Sequence, residues 1–128
     1  MHSKRVLLID DEPDIVRMTQ ITLMALVDWQ VLVAYTGSDG IRTAKDEQPD
    51  AILLDVMMPG MDGLETLRQL QQAPETQSIP VILLTAKVRN SDQASYSNLN
   101  VAGLIPKPFN AAQLPRQIAA YLNWPLVE

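Results

Sequence analysis

The 128 residues contain no cysteine. That excludes disulfides, zinc–thiolate sites and thiol catalysis. No apolar run approaches the roughly 20 residues needed to span a bilayer, so membrane insertion is not expected. The opening Met-His-Ser-Lys-Arg is followed by only four apolar residues, Val6 to Ile9, and then by acids, which is not the pattern of a signal peptide. Basic charge is also short. The formal net charge is −5, and without a clustered basic surface, direct binding to nucleic acid is not expected. There is no internal repeat, low-complexity stretch or linker-like composition. His2 is the single histidine; it lies at the terminus and is assigned no role. What these absences leave is one cytoplasmic domain over residues 1–128, with its core at about 4–122.

Five short apolar runs are present: Val6–Ile9, Val31–Tyr35, Ala51–Leu54, Val81–Leu84 and Val101–Ile105. They are branched or leucine-rich and do not alternate with polar residues, so they read as strands buried on both faces. Longer segments with helical spacing separate them. Asp14 to Val27 is expected to turn Ile15, Met18, Thr22 and Leu26 inward, Ser38 to Glu47 to turn Ile41 and Ala44 inward, and Gly63 to Gln72 to bury Leu64, Leu67 and Leu70. A weak polar segment near Asn90–Asn98 is the fourth. Ala111–Leu122 is the last, with Leu114, Ile118 and Leu122 inward. Asn110 and Gln113 are placed to form its capping box, and Pro115 to delay its start. Strand–helix alternation five times over implies an α/β fold, a doubly wound parallel sheet. The flavodoxin-like order 2-1-3-4-5 is the expected topology.

In such a sheet, ligands bind beyond the carboxyl ends of the strands, where the strand order reverses. The residues following the runs are therefore informative. Asp10, Asp11 and Glu12 follow the first, Asp55 the third, Thr85 the fourth, and Lys107 comes just after the fifth. Clustered carboxylates repel one another and call for a cation. Oxygen donors without Cys or His favour a hard ion such as Mg²⁺. Lys107 adds a point charge suited to a phosphoryl group, and Thr85 adds a hydroxyl donor. The set reads as a phosphoryl site with a carboxylate nucleophile. Asp55 stands alone at the end of a buried strand, before the turn-forming Met58-Pro59-Gly60-Met61-Asp62-Gly63, and is the candidate nucleophile. Asp10 and Asp11 are better suited to hold metal, directly and through water.

With these pieces in order, the chain resembles the response-regulator receiver domain from about Lys4 to Leu122. The resemblance rests on Asp10-Asp11, Asp55, the Met-Pro-x-x-Asp-Gly loop at 58–63, Thr85-Ala86 and Lys107-Pro108-Phe109. It implies that Asp55 is the phosphoacceptor, taking its group from a phosphohistidine on a sensor kinase or phosphotransfer protein. It further implies that Asp11, Asp55 and the backbone carbonyl of Met57 hold Mg²⁺, with Asp10 binding through water. Thr85 would turn toward the phosphoryl oxygens and Lys107 would pair with them. The face built by the fourth helix, fifth strand and fifth helix would meet a downstream effector protein or domain. Such a chain is a switch that assists its own phosphotransfer and slow dephosphorylation, not an enzyme with a separate substrate. The resemblance also implies a cis Lys107–Pro108 bond. One departure stands out: Leu104 occupies a position where the family usually has an aromatic residue. Lys87, two residues after Thr85, takes a position that, like Met57, tunes loss of the phosphoryl group in the family.

Other readings of the same residues are plainer. The acids at 10–12 could be a solvated turn opening a helix, since carboxylates favour helix N-termini. Met57, Met58 and Met61 read as packing residues. Tyr96, Tyr121, Trp124 and Ile105 are ambiguous between partner contacts and packing. A receiver-like adaptor that is never phosphorylated would not need the whole set Asp10, Asp11, Asp55, Thr85 and Lys107. An aspartate-nucleophile phosphatase of the haloacid-dehalogenase type wants a second aspartate two residues after the nucleophile, where Met57 stands. A flavin or nucleotide carrier would need a glycine-rich loop after the first strand.

Overall fold

In a computed structural model, described for residues 4–56, 63–85 and 100–125, five parallel strands form one sheet in the order β2-β1-β3-β4-β5. In chain order the elements are β1 (Arg5–Ile9), α1 (Pro13–Leu26), β2 (Gln30–Ala34), α2 (Gly37–Glu47), β3 (Ala51–Asp55), α3 (Gly63–Gln72), β4 (Val81–Thr85) and β5 (Gly103–Pro106). A 3₁₀ turn (Ala111–Gln113) then leads into the C-terminal helix (Leu114–Leu122). The expected α/β fold and strand order are those observed. The expected helical segment near Asn90–Asn98 lies outside the described residues, as do Met57, Lys87 and Tyr96.

The period-2 alternation of strand side chains divides the core into two layers. Val6, Leu8, Leu53, Ile82, Leu84 and Ile105 pack under α1 and the C-terminal helix, against Val16, Leu23, Leu114 and Ile118. On the opposite face, Leu7, Ile9, Ile52, Leu54 and Leu83 pack under α2 and α3, against Ala44, Leu67 and Leu70. This explains why the strands read as unbroken apolar runs: both faces are covered. The far end of the first layer is closed by Trp29 and Trp124, edge to face at 5.3 Å, with the Lys4 ammonium 4.9 Å from the Trp124 ring. Trp124 is therefore a packing residue.

Several local expectations need correction. In α1 the buried face is Val16, Thr19 and Leu23, while Met18 and Leu26 are each 52% exposed. The helix is apolar on nearly every side, so periodicity alone does not choose the inward face. Leu64 faces solvent, and Gly63 and Thr66 share the inward face with Leu67 and Leu70. The fifth strand begins at Gly103, not Val101, following Asn100 in a left-handed conformation. Ile105 is fully buried and offers nothing to a partner. The capping box is half formed. The Asn110 side chain accepts from the Ala112 N–H at 3.0 Å, but Pro115 at the first helical turn leaves a 3₁₀ turn ahead of the α-helix.

Thr19 is fully buried on α1, and its hydroxyl has no hydrogen-bond partner among the described residues. An unsatisfied buried hydroxyl costs stability that an isosteric methyl does not. Thr19→Val is expected to raise the free energy of unfolding by about 1 kcal/mol, read from urea denaturation at constant m-value. A loss of similar size would show that the hydroxyl is satisfied.

Candidate functional site

The strand order sets β1 beside β3, with Ile9 level with Leu54. β3 is level with β4 through Asp55 and Leu84, and β4 with β5 through Thr85 and Pro106. The residues at or just beyond these four strand ends therefore meet along one sheet edge, as the topology predicts. Asp10 follows β1 directly and its backbone N–H still donates to the Ala34 carbonyl at 3.1 Å. Its side chain then caps the turn into α1, Oδ1 accepting from the Glu12 N–H at 3.0 Å. Asp55 is the last residue of β3. Gly63, the first residue of α3, lies so close that a Cβ there would overlap the Asp55 carbonyl oxygen and the Val56 Cα. Glycine at position 63 is thus a close-packing requirement that lets α3 seat against the strand end.

Asp10 and Asp55 are fully buried, and Thr85 is 2% exposed. Asp10, Asp11, Glu12 and Asp55 can each present an oxygen so that all four lie within 4.8 Å of one another. The compensating charge is Lys107. Its ammonium donates to Glu12 Oε1 at 3.1 Å, Asp10 Oδ2 at 3.2 Å and Asp55 Oδ2 at 3.3 Å. Four carboxylates and one ammonium leave a formal local charge of −3. The Lys107–Pro108 bond is cis, as the resemblance implies. The Lys107 N–H donates to the Thr85 carbonyl at 2.6 Å, so the lysine and the threonine share a backbone link.

The structure thus brings together Asp10, Asp11, Asp55 and Lys107, and sets Thr85 at the end of the neighbouring strand. The Met57 carbonyl falls outside the described residues. Glu12, to which the sequence assigns no role, joins the cluster as a lysine partner. Its place as the third acid after β1 is the only signal of it in the sequence. Away from the cluster, Leu104 is half-buried against the α2–α3 layer. Its carbonyl accepts from the Tyr121 hydroxyl at 2.8 Å, and the Tyr121 ring covers Gly103 closely enough to exclude a Cβ.

The electrostatics follow from burial. Desolvation raises the Asp10 carboxyl above the usual aspartate value. The Glu12 N–H and Lys107 oppose that shift, and the Asp55 charge adds to it. For Lys107, burial alone would lower the ammonium, but Asp10, Asp55 and Glu12 outweigh it and the net shift is upward. Lys107 therefore remains charged across the neutral range. The donors are all oxygen, with neither nitrogen nor sulfur, and the cluster is short of positive charge. That set fits a hard divalent cation such as Mg²⁺.

A raised Asp10 means that the folded chain binds this proton more tightly than the unfolded chain. Its favourable contribution is complete below the ordinary aspartate value of 3.8 and is lost as pH rises through the higher folded value. At neutral pH without divalent cations, ionised Asp10 therefore costs stability. Asp10→Asn in EDTA is expected to raise the melting temperature by a few degrees, the scale of about 1 kcal/mol in a domain of this size. The gain should shrink as pH falls toward 4. A variant that melts lower than wild type in EDTA at pH 7 would contradict this.

The profile of the response regulator receiver domain matches residues 6–119. Protein PilH of Pseudomonas aeruginosa is 36% identical over 119 residues, an overlap spanning 92% of this chain and 97% of that protein. The chemotaxis protein CheY4 of Vibrio cholerae superposes with a TM-score of 0.85 at 25% identity, over 93% of this chain and 98% of that one. The receiver domain of the sensor histidine kinase PA1611 of Pseudomonas aeruginosa was solved with a magnesium ion coordinated in its active-site cleft. It superposes with a TM-score of 0.82 at 26% identity, over 94% of this chain and 98% of that one. Likeness of fold and of sequence over nearly the whole length agree, and the chain belongs to the response regulator receiver domains, the signalling switches of two-component systems.

Proposed function

We propose that this receiver accepts a phosphoryl group on Asp55 from a phosphohistidine of a sensor kinase or phosphotransfer protein, in a Mg²⁺-dependent reaction in the cytoplasm. One Asp55 carboxylate oxygen bonds to phosphorus as the phosphorus–nitrogen bond of the donor breaks. The electron pair of that bond returns to the imidazole nitrogen, which takes up a proton from solvent. The product is an acyl phosphate whose phosphoryl group carries about −1.5 to −2 of charge in place of the single negative charge of the carboxylate. The observation that carries this reading is the Lys107 ammonium 3.3 Å from Asp55 Oδ2 within a buried cluster of excess negative charge. A cation already held over the acceptor carboxylate is placed to pair with a phosphoryl oxygen once the acyl phosphate forms.

In this reading, Asp11 and Asp55 would hold the metal, Asp10 would bind it through water, and the Met57 backbone carbonyl, outside the described residues, would supply a further ligand. The chemistry Mg²⁺ would supply there is screening of the carboxylates from incoming phosphoryl oxygens. The Thr85 hydroxyl donates to a phosphoryl oxygen, and its movement passes along the backbone it shares with Lys107. Output then reaches a downstream effector through the side of the domain that includes β5 and the C-terminal helix. Leu104 has no ring to expose or bury, so it offers a partner little difference between two states. Tyr121 is 47% exposed and hydrogen-bonded to the Leu104 carbonyl. It is the better placed of the two to present a strand displacement to a partner.

Incubation with acetyl phosphate and Mg²⁺, followed by intact-mass measurement, tests the assignment. One phosphoryl adduct is expected on the wild type and none on Asp55→Asn or in EDTA. Asp11→Ala should be slower by at least about tenfold, as metal-site substitutions are. An adduct of equal stoichiometry on Asp55→Asn, or full reaction in EDTA, would overturn the reading.

A further inference from the structure

The Lys107 ammonium carries three donors, and Asp10, Glu12 and Asp55 all stand at hydrogen-bond distance from it. The three partners are not alike. The Asp10 and Asp55 side chains are 0% exposed, the Lys107 side chain 12% and the Glu12 side chain 54%. Two contacts therefore lie on the buried side of the ammonium, and Glu12 reaches it from the solvent side. That is also the side from which a phosphoryl group must arrive. In the reading proposed above, Asp10 serves the metal and Asp55 the metal and the phosphoryl group. Glu12 is the partner of Lys107 with no other task in that reading.

The helix that Glu12 opens does not use its side chain either. Glu12 is the N-cap residue of α1, the position whose side-chain oxygen ordinarily accepts from a free N–H of the first turn. It makes no such bond. Its own N–H donates to Asp10 Oδ1 at 3.0 Å. The backbone at residue 12 is thus fixed by a carboxylate of the site, while the side chain is committed to Lys107 at 3.1 Å.

We propose that Glu12 is a positioning residue that acts through Lys107: it holds the ammonium in the resting site and is displaced when an anion on Asp55 takes the same side of the lysine. The inference rests on the reading of Asp55 as the phosphoacceptor. Two anions compete for one ammonium, so the Glu12 contact opposes the phosphorylated state and its loss favours that state. An ion pair this exposed is weak, which lets a doubly charged phosphoryl group release it.

Fluoroberyllate, a tetrahedral anion that sits on a carboxylate as a phosphoryl group does, measures the competition at equilibrium. It is titrated calorimetrically into the full chain in saturating Mg²⁺. The wild type is expected to bind it and Asp55→Asn not to. Glu12→Ala should bind it about two- to fivefold more tightly than the wild type, the scale of one exposed ion pair. Glu12→Asp separates contact from charge. It keeps the carboxylate but is one methylene short of Lys107, and aspartate at an N-cap turns back to its own helix. It should therefore follow Glu12→Ala. Because the cap is unused, melting temperatures in EDTA should stay within about 2 °C of the wild type, whereas a merely structural role would lower them and weaken binding. No binding by the wild type, or equal binding by Asp55→Asn, overturns the reading of Asp55 and this inference with it. With those two controls as expected, an alanine variant that binds no more tightly than the wild type overturns the role of Glu12 alone. So does an aspartate variant that behaves as the wild type, since charge without contact would then suffice.

Discussion

Two carboxylates, Asp10 and Asp55, are buried at one edge of a parallel sheet, and one ammonium stands against both. Buried charge is tolerated only when paired. The remainder of the site can be understood as the means of supplying that pairing incompletely. Lys107 is shared among three carboxylates, Asp11 adds a fourth negative charge nearby, and the sum stays negative. An apo site in this state has a standing affinity for cations and for groups that bring cations with them.

The rest of the fold exists to hold those charges in register. The central strands are covered on both faces and are thus fixed in height relative to one another. Their ends therefore form a rigid shelf. Gly63 lets α3 close directly onto the Asp55 carbonyl, and the Thr85 carbonyl ties down the Lys107 backbone. Function is concentrated where the regular structure stops, on loops borne by a packed scaffold.

Much of this was legible in the sequence because the governing patterns are local. Strands covered on both faces must be apolar throughout, so Ala51–Leu54 and Val81–Leu84 announced themselves. The turn chemistry of 58–63 marked the start of α3 at Gly63. Crossover handedness and strand order dictate which strand ends meet, and so bring Asp10, Asp11, Asp55 and Lys107 together. Other features depend on relations that no window of sequence contains. The inward face of α1 was not legible, because both stripes of that helix are apolar and only the sheet decides between them. The reach of Glu12 to Lys107 depends on a turn held by Asp10 Oδ1, across 95 residues of chain. The contact of Tyr121 with the Leu104 carbonyl depends on Gly103 offering a flat surface beneath the ring.

Lys107 is the cation that makes the buried carboxylates tolerable. The most direct measurement is the free energy of unfolding of wild type and Lys107→Met, each in EDTA and in saturating Mg²⁺. Removing one partner of a buried charge pair leaves the other uncompensated. Lys107→Met is therefore expected to lose about 3 kcal/mol in EDTA and to recover more on adding Mg²⁺ than the wild type gains, because its cluster carries one more uncancelled charge. Equal stability in EDTA, together with an equal response to Mg²⁺, would contradict the account.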